Sequence, residues 1–189
     1  MKKIILDLCG GTGSWSKPYK DAGYDVRLVT LPDNDIRTYD PPENVHGILA
    51  APPCTMFSLA RTTAKIPRDL DLGMVTVEAC LRVIWKAKPK FWAMENPKGL
   101  LRRFMGRPPF TFDASHFGED YNKATDLWGY FIMPRIKENY TRFPSTDKNT
   151  RKLPAIPEIY KRDPLMSTVA IKRSITPEGF ALAFYKANP

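Results

Sequence analysis

Two observations predict an α/β fold with a mostly parallel sheet and helices on both faces. Short apolar runs alternate with stretches of helical spacing, and a glycine turn joins the first apolar run to a helix start. Lys3 to Cys9 reads as a buried strand running into Gly10-Gly11-Thr12-Gly13, after which Ser14-Trp15-Ser16-Lys17-Pro18 starts a helix that stops near Gly23. Val26 to Leu31 is a second strand, broken by Pro32-Asp33-Asn34-Asp35, and Gly47 to Ala51 is a third, ended by Pro52-Pro53. From Asp69 to Lys86 the apolar residues Leu70, Met74, Val77, Leu81 and Ile84 recur at helical spacing, and Phe91 to Met94 is the strand that follows. Phe110-Thr111-Phe112 and Leu127 to Phe131 look like paired strands, antiparallel if they form a hairpin-like unit. Pro134 to Pro164 is proline-rich, basic and without periodicity, which predicts a long surface loop. Thr176-Pro177-Glu178 opens a last helix over Gly179 to Ala187, with proline in its first turn.

The 189 residues, 43% of them hydrophobic, are enough for one core, so residues 1–189 are expected to form a single domain, with 132–172 a loop or reduced recognition lobe inside it. Met1-Lys2-Lys3 is followed by only three apolar residues before Asp7, and no long uncharged apolar stretch occurs. The expectation is therefore a cytoplasmic monomer with neither signal peptide nor membrane span. Three cysteines and two histidines, widely scattered, predict neither a disulfide framework nor a metal site. The formal charge of +9 favours a polyanionic partner. Arg82 to Arg107 carries eight basic residues against the single acid Glu95, and a nucleic-acid backbone is the simplest ligand for such a stretch, an ordinary solvated surface being the alternative.

Ligands of open parallel sheets sit at the carboxyl ends of the strands. Three stretches of this chain end strands there. In Asp7-Leu8-Cys9-Gly10-Gly11-Thr12-Gly13, glycines let the backbone approach a cofactor beside a carboxylate. In Ala51-Pro52-Pro53-Cys54, two prolines stiffen the strand exit and deliver one cysteine at the sheet edge, a placement that suits a nucleophile better than a core residue. Cys80, inside the helical stripe, reads as core. In Met94-Glu95-Asn96-Pro97, a glutamate leaves an apolar strand beside the cysteine, which predicts a desolvated acid with raised pKa; a capping role before Pro97 is the alternative.

In this order the three stretches resemble the DNA (cytosine-5) methyltransferase family, in particular its short phage-type members. The family's Asp-Leu-Phe-x-Gly-x-Gly-Gly is matched by Asp7, Leu8, Gly11 and Gly13, its Pro-Cys-Gln-x-Phe-Ser by Pro53, Cys54, Phe57 and Ser58, and its Glu-Asn-Val by Glu95 and Asn96. Arg173-x-x-Thr176-Pro177-x-Gly179 is similar to the family's Arg-x-x-Thr segment. The resemblance implies a Rossmann-like methyltransferase fold, S-adenosylmethionine as cofactor and DNA as partner, with the target cytosine flipped out or single-stranded. It implies Cys54 and Glu95 as catalytic residues. Asp7, Leu8, Cys9, Gly11, Gly13, Trp15, Asp35, Ile36 and Pro52 would line the cofactor, and Ser58, Asn96 and Lys123 the substrate, Asn96 by holding the cysteine loop.

The chain departs from the family's pattern in several places. Cys9 replaces a phenylalanine of the cofactor pocket and Ser14 the last glycine of the turn. Thr30-Leu31-Pro32 stands where an acid usually meets the ribose. No separate recognition domain fits between Phe131 and Arg173, which implies a short sequence context. Two other readings keep parts of the pattern: a catalytically degenerate DNA-binding relative, and a cysteine-dependent pyrimidine-modifying enzyme using another donor or a free nucleotide.

Overall fold

The computed structural model describes residues 2–59, 66–141 and 174–189. Its strands are β1 (Ile4–Leu8), β2 (Asp25–Val29), β3 (Val45–Ala50), β4 (Phe91–Pro97), β5 (Phe110–Phe112) and β6 (Thr125–Tyr130), and its helices α1 (Lys17–Asp21), α2 (Leu70–Ala87), α3 (Arg102–Met105) and α4 (Glu178–Ala187). They build one mixed sheet in the order β2-β1-β3-β4-β6-β5. β2, β1, β3 and β4 are parallel; β6 runs antiparallel to β4, and β5 to β6.

Alternation along the strands divides the core in two. On one face Leu6, Leu8, Ile48, Ala50, Met94 and Trp128 meet Val77, Cys80, Val83 and Ile84 of α2. On the other Ile5, Leu49, Phe91, Ala93 and Leu127 meet Tyr19 of α1 and Phe180, Ala181 and Phe184 of α4. Helices thus cover both faces, as the sequence pattern predicts. Helix α2 is the longest because its start and stop are both chemically marked. The Asp69 side chain accepts from Leu72 N at 2.8 Å, and Lys88 takes the left-handed conformation that ends the helix.

Several boundaries are shifted from the sequence reading, and those nearest the strand ends matter most. The first helix begins at Lys17, toward the end of the Ser14–Pro18 stretch read as its start, because Gly11 and Gly13 hold the preceding residues in a turn with φ of 50° and 66°. The second strand stops at Val29. β4 runs three residues beyond Met94, since β6 pairs with it as far as Pro97 and Thr125. Glu95 and Asn96 are therefore strand residues rather than residues of the loop beyond it. Of the long basic segment, residues 132–141 carry no helix or strand, and 142–172 lie outside the described residues, as does Arg173. Among the described residues no helix is long and apolar enough to cross a membrane.

Candidate active site

Strand β1 has β2 on one side and β3 on the other, so successive connections leave it in opposite directions and open a crevice at its carboxyl end. The glycine turn sits there. Cys9, the residue after β1, has φ 57° and donates its N–H to Val29 O at 2.8 Å, which aims the chain away from the sheet and into the turn. Asp7, fully buried on the strand, accepts a bond from Ser16 Oγ at 2.5 Å, while its other oxygen has no partner among the described residues. Burial pushes the Asp7 carboxyl up to about 6, against the opposing Ser16 bonds. A side chain at Gly10 would put its Cβ 2.0 Å from Asp7 Oδ1, so this glycine makes room for the carboxylate rather than for a ligand. The Cys9 sulfur lies 4.0 Å from Cys80 Sγ, and that neighbour together with burial pushes the Cys80 thiol up.

The cysteine loop leaves β3 one strand away. Asn96 Nδ2 donates to Pro52 O at 2.9 Å, which ties the strand carrying Glu95 to the loop carrying Cys54. The Cys54 carbonyl then accepts from Phe57 N at 3.0 Å and Ser58 N at 2.9 Å, folding residues 54–58 into a tight turn. Arg68 donates to the carbonyls of Met56 and Ser58, and Leu100 N donates to Phe57 O at 2.9 Å. A Cβ at Gly99 would sit 2.5 Å from Phe57 O, so only glycine allows this approach. Cys54 is half-buried at the head of a turn held from three sides.

Glu95 is 8% exposed and its Oε2 has no partner among the described residues. Burial raises its pKa, and the ammonium of Lys123 opposes that rise. Lys123 Nζ donates to Ile175 O at 3.2 Å, in the segment that leads into α4. One position along the strand pair, Asn96 faces Asp126, another buried acid, held by Arg102 and Thr111.

The predicted substrate-side residues Cys54, Glu95, Asn96, Lys123 and Ser58 thus gather around the carboxyl ends of β3 and β4 and the start of β6. Asp7, Cys9, Gly11, Gly13 and Pro52 lie at the neighbouring ends of β1 and β3. Asp35 lies in the loop after β2, where Arg37 grips its carboxylate and holds it near pKa 2. Leu8, Trp15 and Ile36 are core residues; Trp15, 2% exposed, packs on Phe180 and Phe184, which leaves its ring little surface for a ligand.

The basic run does not form one face. Lys86, Lys88 and Lys90 precede β4, whereas Lys98, Arg102, Arg103 and Arg107 follow it, so a seven-residue strand of about 20 Å separates the groups. Arg82 and Lys86 bind Asp40, and Arg102 binds Asp126. Sequence distance hid these pairs, since Asp40 precedes Arg82 by more than forty residues. Ser16 was missed as well, although nine residues of strand, turn and helix start bring its hydroxyl back to Asp7.

Comparison with known proteins addresses the family and the fold. The family described as C-5 cytosine-specific DNA methylase matches residues 16–108. The chain is similar to the type II methyltransferase M.DdeI of Desulfomicrobium norvegicum, 32% identical over 123 residues, covering 51% of this chain and 28% of that protein. It is also similar to the type II methyltransferase M.AquIA of Picosynechococcus sp., 26% identical over 135 residues, covering 57% of this chain and 53% of that one. The chain therefore spans about half or less of these curated relatives. A solved structure described as a candidate DNA modification methyltransferase encoded within an E. coli prophage shares the fold, with a TM-score of 0.52 at 16% identity over 68% of this chain and 47% of the other.

Proposed function

We propose that the chain methylates carbon 5 of cytosine in DNA, with Cys54 as nucleophile and Glu95 as acid, a reading supported by its match to the C-5 cytosine-specific DNA methylase family over residues 16–108. The observation that carries this reading is the Asn96 to Pro52 bond, which fixes the cysteine loop against the strand bearing the buried glutamate. Cytosine carbon 5 is a poor nucleophile. Addition of the Cys54 thiolate to carbon 6 converts the ring to an enamine with electron density at carbon 5. Glu95, its proton retained to higher pH by burial, donates to ring nitrogen 3, and its second oxygen accepts from the exocyclic amine. Once carbon 5 has bonded the methyl group, loss of its proton expels the Cys54 thiolate and restores the aromatic ring. The target must be flipped from the stack or already single-stranded, because neither residue can reach a paired base.

C-5 cytosine DNA methyltransferases use S-adenosylmethionine, which supplies an electrophilic methyl group. The residues present fit it: Gly11 and Gly13, at φ of 50° and 66°, bring no side chain into the turn, and Asp7 keeps a buried oxygen without a partner among the described residues. Asp7, Cys9, Gly11, Gly13 and Pro52 would hold it, with Asp35 on the adenosine side. The finer proposal is a context of one or two bases. Between β6 and α4 the chain offers residues 132–172, whose prolines and basic side chains suit phosphates better than base edges.

Mass spectrometry of nucleosides from plasmid DNA recovered after expression tests the activity. 5-Methylcytosine should accumulate with the parent chain and not with Cys54→Ser, whose turnover should fall at least about a thousandfold. Its absence with the parent, or its persistence in the variant, would overturn the proposal.

A further inference from the structure

Ser14 stands where the family's turn ends in glycine, and its hydroxyl is engaged on two sides. Thr176 N donates to Ser14 Oγ at 3.1 Å, and Ser14 Oγ lies 2.6 Å from Thr12 Oγ1, which also accepts from Ser14 N at 3.2 Å. Ser14 Oγ accepts from Thr176 N through one lone pair, and in its pair with Thr12 either hydroxyl can donate. The carbonyl belonging to the same peptide group is Ile175 O, the acceptor for Lys123 Nζ. One peptide unit is therefore gripped from opposite ends, by the cofactor-side turn through its N–H and by the ammonium facing Glu95 through its C=O. Thr176 is buried, so water does not compete freely for these bonds.

We infer that the Ile175–Thr176 peptide is a bridge that couples the cofactor turn to the base pocket, with Ser14 as the positioning residue that anchors it. This rests on the reading of the Gly11–Gly13 turn as the donor site. The bridge acts through geometry. Its N–H pins the last residue of the turn, and its carbonyl fixes the lysine whose charge bears on Glu95. A ligand that orders either end favours the same peptide orientation at the other, and linkage makes the effect reciprocal. A glycine at position 14 offers no such acceptor, so the serine is a gain of this chain rather than a defect of its turn.

The test measures S-adenosylmethionine affinity by calorimetry, with and without a cytosine-containing oligonucleotide, for the parent, Ser14→Ala, Ser14→Thr, Lys123→Met and the double variant Ser14→Ala/Lys123→Met. Ser14→Ala should bind the donor about five- to tenfold more weakly. Ser14→Thr, which keeps the hydroxyl, should recover the parent affinity within about twofold. Lys123→Met, although remote from the donor turn, should lose a similar factor, and the double variant should lose no more than either single one, because both act through one peptide. The oligonucleotide should tighten donor binding in the parent and not in Ser14→Ala. Thermal midpoints recorded alongside separate loss of fold from loss of positioning, and Ser14→Thr and Lys123→Met keep the test open if Ser14→Ala is unstable. Parent-like affinity in Ser14→Ala, failure of Ser14→Thr to rescue, or multiplying losses in the double variant would overturn the bridge while leaving the methyltransferase reading intact. A parent chain that binds no donor would overturn both.

Discussion

Two buried acids on adjacent strands meet opposite fates. Asp126 on β6 is fully buried and fully engaged: Arg102 grips both oxygens at 2.5 Å and Thr111 Oγ1 donates to Oδ1 at 2.8 Å. Glu95 on β4, one register step away, is also buried, yet its Oε2 has no partner among the described residues and its only charged influence is Lys123. A folded chain pairs its buried charges where they serve the fold. An acid left with open hydrogen-bonding capacity can still take up a ligand, which is the role proposed for Glu95. Burial is common to both residues, so it is the partner count that tells these two acids apart.

Glu95→Gln should sharpen the contrast most. Turnover should fall at least about a hundredfold, because a neutral amide cannot deliver a proton to the base. The fold should not suffer. Burial raises the folded pKa of Glu95 above its unfolded value, so this residue favours folding below the unfolded pKa and costs stability once pH rises past the folded one. The glutamine variant should therefore unfold at the same or a higher temperature than the parent at pH 8. A drop in thermal midpoint would make Glu95 a scaffold residue.

Asp7 offers the same comparison on the cofactor side. Its carboxyl moves from 3.8 to about 6 on folding, chiefly through burial, so its stabilising protonation is present below pH 3.8 and lost as pH rises through 6. That shift corresponds to at most about 3 kcal/mol. Urea midpoints measured between pH 3.5 and 7.5 should decline over this window in the parent, and the decline should flatten in Asp7→Asn. Asp126→Asn should show the opposite pattern to Glu95→Gln: stability falls by about 2 kcal/mol as Arg102 loses a charged partner, while turnover per folded molecule stays within a few-fold. The smallest effect is expected for Asn96→Ala, which frees the Pro52 carbonyl. It should lower kcat about tenfold through misplacement of Cys54 and leave donor affinity unchanged. A change in donor affinity without a change in kcat would place Asn96 on the wrong side of the site.

The sheet, both helical faces and the order of the three strand-end motifs were legible because each depends on short-range pattern: an apolar run, a glycine turn, a proline pair before Cys54. What escaped depends on partners far along the chain. Glu95 and Asn96 become strand residues only because Leu127 and Asp126 arrive some thirty residues later. The run from Arg82 to Arg107 looked like one basic face, and β4 splits it between the two ends of the sheet. Its cations that reach the site end without an ion pair among the described residues are Lys98, Arg103 and Arg107, fewer than the charge count suggested. Ser14 looked like a departure from pattern until the segment before α4 folded back onto it.

Covalent trapping of Cys54 addresses the central claim most directly. In DNA carrying 5-fluorocytosine, carbon 5 has no proton to lose after methylation, so elimination cannot release the cysteine and the adduct persists. Intact mass spectrometry of the parent chain, incubated with such DNA and S-adenosylmethionine, should show one protein–DNA adduct mapping to Cys54, present in Cys80→Ala and absent from Cys54→Ser. No adduct in the parent, or an adduct at Cys9 or Cys80, would contradict the account.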